Sequence, residues 1–536
     1  MFDVEGYLLD TTEHKVEFCI KRQHSKDRVT FGAIPWDEVR PVDPKSTAYQ
    51  LLPMVAAWLH PKSRFYQDAS ISSRMDTALD YIRRTQLKSG CFNFETVNFN
   101  SAPDTAFILW ALIPMYRLLG KHPLAEKVHK ILMPAFEGIC KGGFHTPNHR
   151  WANASALAAG YNITKNPAYL KKAQAYLAEG IDCNAYGEYS EKSANYNAVN
   201  NTAMIMLHKE LGDEKYLEYV RKNLNMTIHY MDYDGSLFTE NSSRQDKGTK
   251  FFPGDFYFQY MYIAHRYKCR ESAQTAAFII DNYRKNRYYA PPDCLYLFML
   301  HPEICLQNAE QGTIPDYNRH FEASGIVRYK SGDFSYALLE DNNKFFCFSI
   351  GALSGYMKLS VGYFSARHIR AKGIRATAKG YAFDFAAKGW YYEPLEHVEE
   401  EIIDFLSFDN SLRKLQYPNS ITLTVEIAHV DGGIDISFAT RGLEGVHYCF
   451  EFVLPPGKFT THSSFAAVPE PGSYMLLKSG DITISDNNHD LIIGDGFADR
   501  QTFRANRGAD LCSVHDFTVF MLGTTNFDRI VKIRGR

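Results

Sequence analysis

Between about Ser46 and Gln307 the apolar residues recur at helical spacing, as in Tyr49, Leu51, Leu52, Val55, Ala56, Trp58 and Leu59, or in Phe107 through Leu119. The same period predicts further helices over about 122–140, 150–161, 167–179, 197–211, 214–231, 254–267, 271–284 and 292–307. After Gln307 the pattern changes to short alternating segments: Ser335–Leu339, Phe345–Ile350, Ser420–Ile427, Ile434–Phe438, Tyr448–Leu454 and Phe517–Leu522. Gly, Asp and Asn cluster between these segments, as in Val430-Asp-Gly-Gly and Ser485-Asp-Asn-Asn, which is how strands joined by tight turns read. Residues 1–45 are mixed, with alternating pieces such as Val16–Ile20, and suggest a small cap or strand.

A weak repeat runs through the helical part. Glycine followed within three residues by an aromatic recurs at Gly90, Gly143, Gly187 and Gly235, at spacings of 53, 44 and 48 residues. One helix, one polar loop and one returning helix per repeat is the pattern of an α/α toroid or an α-solenoid, in which stacked hairpins bury each other's apolar faces. In a closed toroid, loops at the same phase gather at one mouth. The expected fold is therefore multidomain α and β, with a cap over 1–45, an (α/α) toroid over 46–312 and an antiparallel β-sandwich over 313–536. At 536 residues the chain is long enough for two cores.

Charge narrows the partners. With 59 Lys+Arg against 61 Asp+Glu there is no electrostatic case for nucleic acid or an anionic membrane surface. The longest apolar stretch, Thr105–Leu119, is too short to span a bilayer and reads as a buried helix. The opening Met-Phe-Asp-Val-Glu-Gly has no charged-then-apolar leader, so a cytoplasmic location is expected. The ten cysteines show no Cys-x-x-Cys spacing, and no motif for a nucleotide, a nucleophilic serine or a metal is present, so no cofactor is expected. Aromatic content is 14%, which suits β-rich packing and, alternatively, platforms for sugar rings. The oligomeric state, a homo-oligomer included, is left open.

The candidate chemistry sits in the four Gly-aromatic loops. The first carries Asn98, a donor for sugar hydroxyls, and Asp104, which reads as a helix N-cap. The second reads Thr146-Pro147-Asn148-His149-Arg150-Trp151, an amide, an imidazole and a guanidinium side by side that can offset a carboxylate and handle a proton. The third offers Glu188, Tyr189, Glu191, Lys192, Tyr196, Asn197, Asn200 and Asn201. Its tyrosines serve as acid or base if a cation lies near, and Glu188 with Glu191 can instead form the paired carboxylates of a hydrolase. The fourth holds Glu240, Asn241, Arg244 and Gln245, where Arg244 suits a bidentate grip on a carboxylate. In the β-rich half, Arg367-His368 ends a turn after a strand. Plain capping and a solvated surface explain many of these residues equally well.

A helical toroid followed by an antiparallel sandwich, with Asn148-His149-Arg150-Trp151 and a tyrosine 40 to 50 residues on, resembles the heparinase II/III-like and oligoalginate polysaccharide lyases. The resemblance implies that Asn148 and Arg150 neutralise a uronate carboxylate, that His149 is a base and that Tyr189 or Tyr196 is the acid. It also implies a matching histidine from the sandwich, which His368 fits only loosely, and Pro147 stands where that pattern usually has a second asparagine. The same architecture is similar to toroidal glucuronidases, including glycoside hydrolase family 154 and the unsaturated-uronyl hydrolases, in which Glu188, Glu191, Asp104 or Glu240 would supply acid and base. Both implied functions take a uronate-containing oligosaccharide, with Asn98, Asn148, Arg150, Asn200, Glu240, Arg244 and His368 as binding residues. A non-catalytic carbohydrate-binding protein is the third reading.

Overall fold

The computed structural model describes residues 2–286, 291–306, 312–364, 369–398, 401–500, 506 and 509–536. The chain divides into two compact units, one of residues 1–231 with 235–315 and one of residues 232–234 with 316–536.

Among the described residues the first unit holds twelve helices: α1 (Val4–Arg22), α2 (Pro44–Leu59), α3 (Ala69–Thr85), α4 (Ala102–Leu119), α5 (Pro123–Lys141), α6 (Pro147–Thr164), α7 (Pro167–Ala178), α8 (Ala194–Leu211), α9 (Lys215–Ile228), α10 (Phe256–Tyr267), α11 (Arg270–Lys285) and α12 (Leu295–Leu300). A hairpin of β1 (Phe92–Phe94) and β2 (Asn98–Ser101) precedes α4. The even-numbered helices pack in series, α2 on α4, α4 on α6, α6 on α8 and α8 on α10. α12 closes the ring by packing on α2 and laying Phe298 against Tyr257 and Phe258 of α10. The odd-numbered helices from α3 to α11 each pack on an inner partner.

Sequence explains which helix goes where. α4 and α6 are buried nearly all round, as their Ala-, Leu- and Trp-rich sequences allow, so they belong inside. α3, α5, α9 and α11 bury one face and expose charges on the other, so they form the outer layer. Small residues let α6 come close to its neighbours; a Cβ on Gly160 would sit 2.8 Å from the Phe136 ring. Residues 4–22 depart from the expectation of a cap or strand. They form α1, because Val4, Leu8, Leu9, Thr12, Val16 and Cys19 fall on one helical face and bury against α2 and α12. The local alternation of Val16–Ile20 concealed that longer period.

The second unit is two stacked sheets. Its strands are β3 (Tyr317–Phe321), β4 (Ile326–Ser331), β5 (Phe334–Leu339), β6 (Phe346–Ile350), β7 (Leu353–Gly362), β8 (Lys372–Ala376), β9 (Gly380–Tyr392), β10 (Leu415–Val430), β11 (Gly433–Gly442), β12 (His447–Leu454), β13 (Phe459–His462), β14 (Phe465–Ala467), β15 (Tyr474–Leu476), β16 (Ile482–Ser485), β17 (Asp490–Gly494), β18 (Phe517–Thr524) and β19 (Asp528–Gly535). One sheet runs β14-β13-β16-β17-β19-β11-β10-β9-β8 and the other β15-β18-β12-β7-β6-β5-β4-β3. Between these strands the pairing is antiparallel, except that the edge strand β15 lies parallel to β18. The inner faces share one apolar core; Phe438 of β11 meets Phe450 of β12 at 4.5 Å between ring centres. The Val430-Asp-Gly-Gly turn joins β10 to β11 in register Val430↔Gly433, with Gly432 at φ +67°.

Candidate active site

The starts of α2, α4, α6 and α8 lie side by side, and the polar loops are stitched together around them. At the start of α2, Lys45 follows the N-cap Asp43 and the helix-initiating Pro44. Its ammonium lies 3.3 Å from Asp104 Oδ1 and over the rings of Phe94 and Phe107 at 5.0 and 4.5 Å. Asp104 is not the N-cap of α4. Ser101 holds that position and accepts from the Asp104 amide, while Asp104, one turn in, accepts from Ser101 Oγ at 2.6 Å and Asn98 Nδ2 at 2.9 Å. Burial pushes the Asp104 carboxyl up, but Lys45 and these hydrogen bonds outweigh it and leave the group below its ordinary value. Asn98 is thus spent on Asp104.

The expected Asn-His-Arg loop is the first turn of α6, which begins at Pro147. Successive residues on a helix point about 100° apart, so the three side chains go to different neighbours. Asn148 Nδ2 donates to Glu191 Oε1 at 2.7 Å and to Thr146 Oγ1 at 3.1 Å. His149 faces α4, with Phe107 at 6.0 Å and His145 at 4.6 Å between ring centres, and its buried Nδ1 has no hydrogen-bond partner. Burial, with His145 adding to it, lowers its pKa to about 4, so the ring is neutral near pH 7. Arg150 is taken up by Glu179 at 2.9 Å, Asp182 at 3.2 Å and the Gly180 carbonyl at 3.0 Å. It anchors the end of α7 and does not join Asn148 and His149.

The third and fourth loops meet at the start of α8. Ser193 caps α8 and donates to Asp246 Oδ2 at 2.9 Å, and Ser243 Oγ donates to the Glu191 carbonyl at 2.7 Å. Arg244 then donates to the Tyr196 phenol oxygen at 3.2 Å, lies 4.6 Å over its ring, and brings Nε to 4.0 Å from Glu191 Oε1. Burial raises the Glu191 carboxyl above its ordinary range, an effect that Asn148 and Arg244 only partly offset. The Asn200 amide is close enough to favour ionised Glu191, yet neither of its polar atoms has a hydrogen-bond partner. Glu191 Oε2, Asn148 Oδ1, Asn197 Oδ1 and Arg244 Nε are likewise buried and without hydrogen-bond partners. Native interiors leave few such atoms, so their concentration on these turns marks the place where polar groups remain to be met.

Other expected residues lie elsewhere. Tyr189 is fully buried, packs 5.6 Å from Trp151 and donates to Asn201 Oδ1 at 3.1 Å; burial raises its pKa well above the ordinary phenol range. It is a core residue, with no exposed surface to meet a substrate. Glu188 accepts from Asn241 Nδ2 at 3.0 Å and lies 4.0 Å from Lys192. Glu240 packs over Gly248 in its own loop. His368 lies outside the described residues.

No protein-family model matches the chain, and no curated protein matches it in sequence. Solved structures do match. A Paenibacillus xanthan lyase superposes with a TM-score of 0.57 at 9% identity, over 99% of this chain and 56% of that one. Heparinase III does so at 0.55 and 11%, over 98% and 85%, and the Streptomyces coelicolor A3 chondroitin AC lyase, solved with chondroitin sulphate, at 0.55 and 11%, over 99% and 79%. The chain has the fold of the α/α-toroid polysaccharide lyases. It spans a little over half the length of the xanthan lyase.

In this toroid-lyase fold, sequence reading missed Lys45 and Asp246. Lys45 gives a faint signal, a cation directly after an Asp-Pro helix start. Asp246, which ties the fourth loop to the α8 cap, gives none. No described helix of the toroid-lyase fold is long and apolar enough to cross a membrane.

Proposed function

We propose that this chain is a carbohydrate-active enzyme that cleaves uronate-containing oligosaccharides by β-elimination. The observation that carries the reading is the Tyr196 phenol held against the Arg244 guanidinium, with neutral His149 on the neighbouring helix start. The proton at C5 of a uronate is too weakly acidic to leave until charge on the carboxylate is offset. The Asn200 amide and Arg244 Nε, neither engaged in a hydrogen bond, supply donors for that carboxylate. An anionic uronate beside His149 raises its pKa, because the imidazolium gains a counter-charge, so substrate binding strengthens the base. His149 takes the C5 proton, the C4–O bond breaks as the C4–C5 double bond forms, and Tyr196 gives its proton to the departing oxygen. Arg244 stabilises the phenolate, which recovers its proton from His149 through solvent. Incubation with alginate, glucuronan and glycosaminoglycan oligomers should produce the ultraviolet absorbance of an unsaturated uronate. Sugar release without that chromophore sinks elimination, and no product from any of them leaves a binding protein.

One observation favours hydrolysis instead. Asp104 is held below its ordinary pKa and Glu191 above it, the direction in which the two carboxyls of a glycosidase are separated. On that reading Glu191→Gln abolishes turnover, the product has no double bond, and His149→Ala retains activity.

A further inference from the structure

Tyr189, in the middle of the candidate loop yet inside the core, needs another role. Its phenol starts a buried chain of amides. Tyr189 OH donates to Asn201 Oδ1 at 3.1 Å; Asn201 Nδ2 donates to Asn223 Oδ1 at 2.8 Å and to Gln259 Oε1 at 3.0 Å. Asn223 Nδ2 donates to the Gly187 carbonyl at 2.8 Å, returning to the loop that bears Tyr189. Gln259 Nε2 closes onto the Ala198 carbonyl at 2.8 Å and Thr202 Oγ1 at 3.2 Å, both on α8. Asn201 and Asn223 are 0% exposed and Gln259 3%. Both Asn201 donor hydrogens and its acceptor are used, so the direction of every bond is fixed by the next. One loop is therefore gripped at two points, Gly187 and Tyr189, by α8, α9 and α10 together. Gly187 itself, at φ +99°, has its Cβ position 2.3 Å from the Lys222 carbonyl carbon, so backbone lies on backbone there and only glycine fits.

We propose that the Tyr189–Asn201–Asn223–Gln259 chain is a positioning device that fixes the height of the 187–191 loop and thereby aims Glu191 at Asn148 and Arg244. Buried polar groups are costly unless satisfied, and a fully satisfied set stiffens what it connects. An apolar core would hold α8, α9 and α10 together equally well but would leave the loop free to shift along them. Tyr189 and Asn201 are positioning residues, since neither has any exposed surface to offer a substrate.

The test uses a matched pair of phenols. Tyr260 is also 0% exposed and donates one hydrogen bond, to the Leu224 carbonyl at 2.8 Å, but that bond links α10 to α9 and not to the loop. Tyr189→Phe and Tyr260→Phe should lower Tm to a similar extent in the full chain. Only Tyr189→Phe should speed hydrogen exchange at the amides of Gly187, Ser190 and Lys192, by about ten-fold or more. Asn201→Leu should do so more strongly. The exchange readout does not depend on the reaction; the activity readout rests on the elimination reading, under which both loop variants lower kcat by about ten-fold or more with KM little changed. Unchanged loop exchange in Tyr189→Phe, or equal acceleration in Tyr260→Phe, overturns the proposal, even if Asn201→Leu fails to fold. Faster loop exchange with no turnover by the unaltered chain on any uronate would instead retire the reaction and leave the positioning device standing.

Discussion

Two tyrosines seven residues apart mark two regions of opposite character. Tyr189 belongs to the loop before α8, where the hydrogen bonds of Asn201, Asn223 and Gln259 close on one another. Tyr196 belongs to the first turns of α8, where Asn197, Asn200, Glu191 and Arg244 all keep polar atoms in reserve. A protein interior tolerates the first arrangement because it is complete and the second where water, an ion or a ligand can meet the remaining groups. Hydrogen-bonding capacity left over, more than residue type, separates the tyrosine that holds the fold from the one to which the proposed chemistry is assigned.

The largest effect that can break this contrast is on turnover. Tyr196→Phe should lower kcat by on the order of 10³-fold with little change in Tm, since a positioned acid contributes 10²- to 10⁴-fold. Tyr189→Phe, which acts only through the loop, should lower kcat by about ten-fold. Equal losses in the two variants, measured by growth of the unsaturated-uronate absorbance, would erase the distinction.

Next comes His149. His149→Ala should cost about 10²-fold in kcat. Its folded pKa of about 4 lies below the ordinary 6.5, so the unfolded chain binds more protons between those values. Stability therefore falls as pH drops from 6.5 towards 4. In His149→Gln that contribution is removed, and Tm should decline less between pH 7 and pH 5 than in the unaltered chain. An identical decline would mean that His149 is not held neutral.

The two arginines extend the comparison at a smaller scale. Arg244→Met should lower kcat by roughly 10- to 100-fold, because the phenolate loses its counter-charge, with Tm nearly unchanged. Arg150→Met should do the reverse. Loss of hydrogen bonds to Glu179, Asp182 and Gly180 should cost about 2 kcal/mol in denaturant unfolding, with activity per folded molecule retained. The smallest effect is expected at Lys45, where Lys45→Met should raise KM by about three-fold, in line with roughly 0.6 kcal/mol for a partly exposed charge.

The sequence by itself determined the order of a helical and then a β-sandwich architecture, α1 excepted. Helical spacing and then two-residue alternation are consequences of burying one side of each element, so they are written locally and can be read locally. The Gly-aromatic repeat likewise places the four polar loops at one phase of the helical pattern. Direction was another matter. Whether Arg150 faces Glu191 or Glu179 depends on where α6 begins, and a start at Pro147 turns Asn148, His149 and Arg150 towards three different neighbours. Whether Tyr189 is reachable depends on α9 and α10, whose Asn223 and Gln259 arrive from 34 and 70 residues further along. Burial, residual hydrogen-bonding capacity and the shift of a pKa are properties of a surrounding shell, and only the tertiary structure assembles that shell.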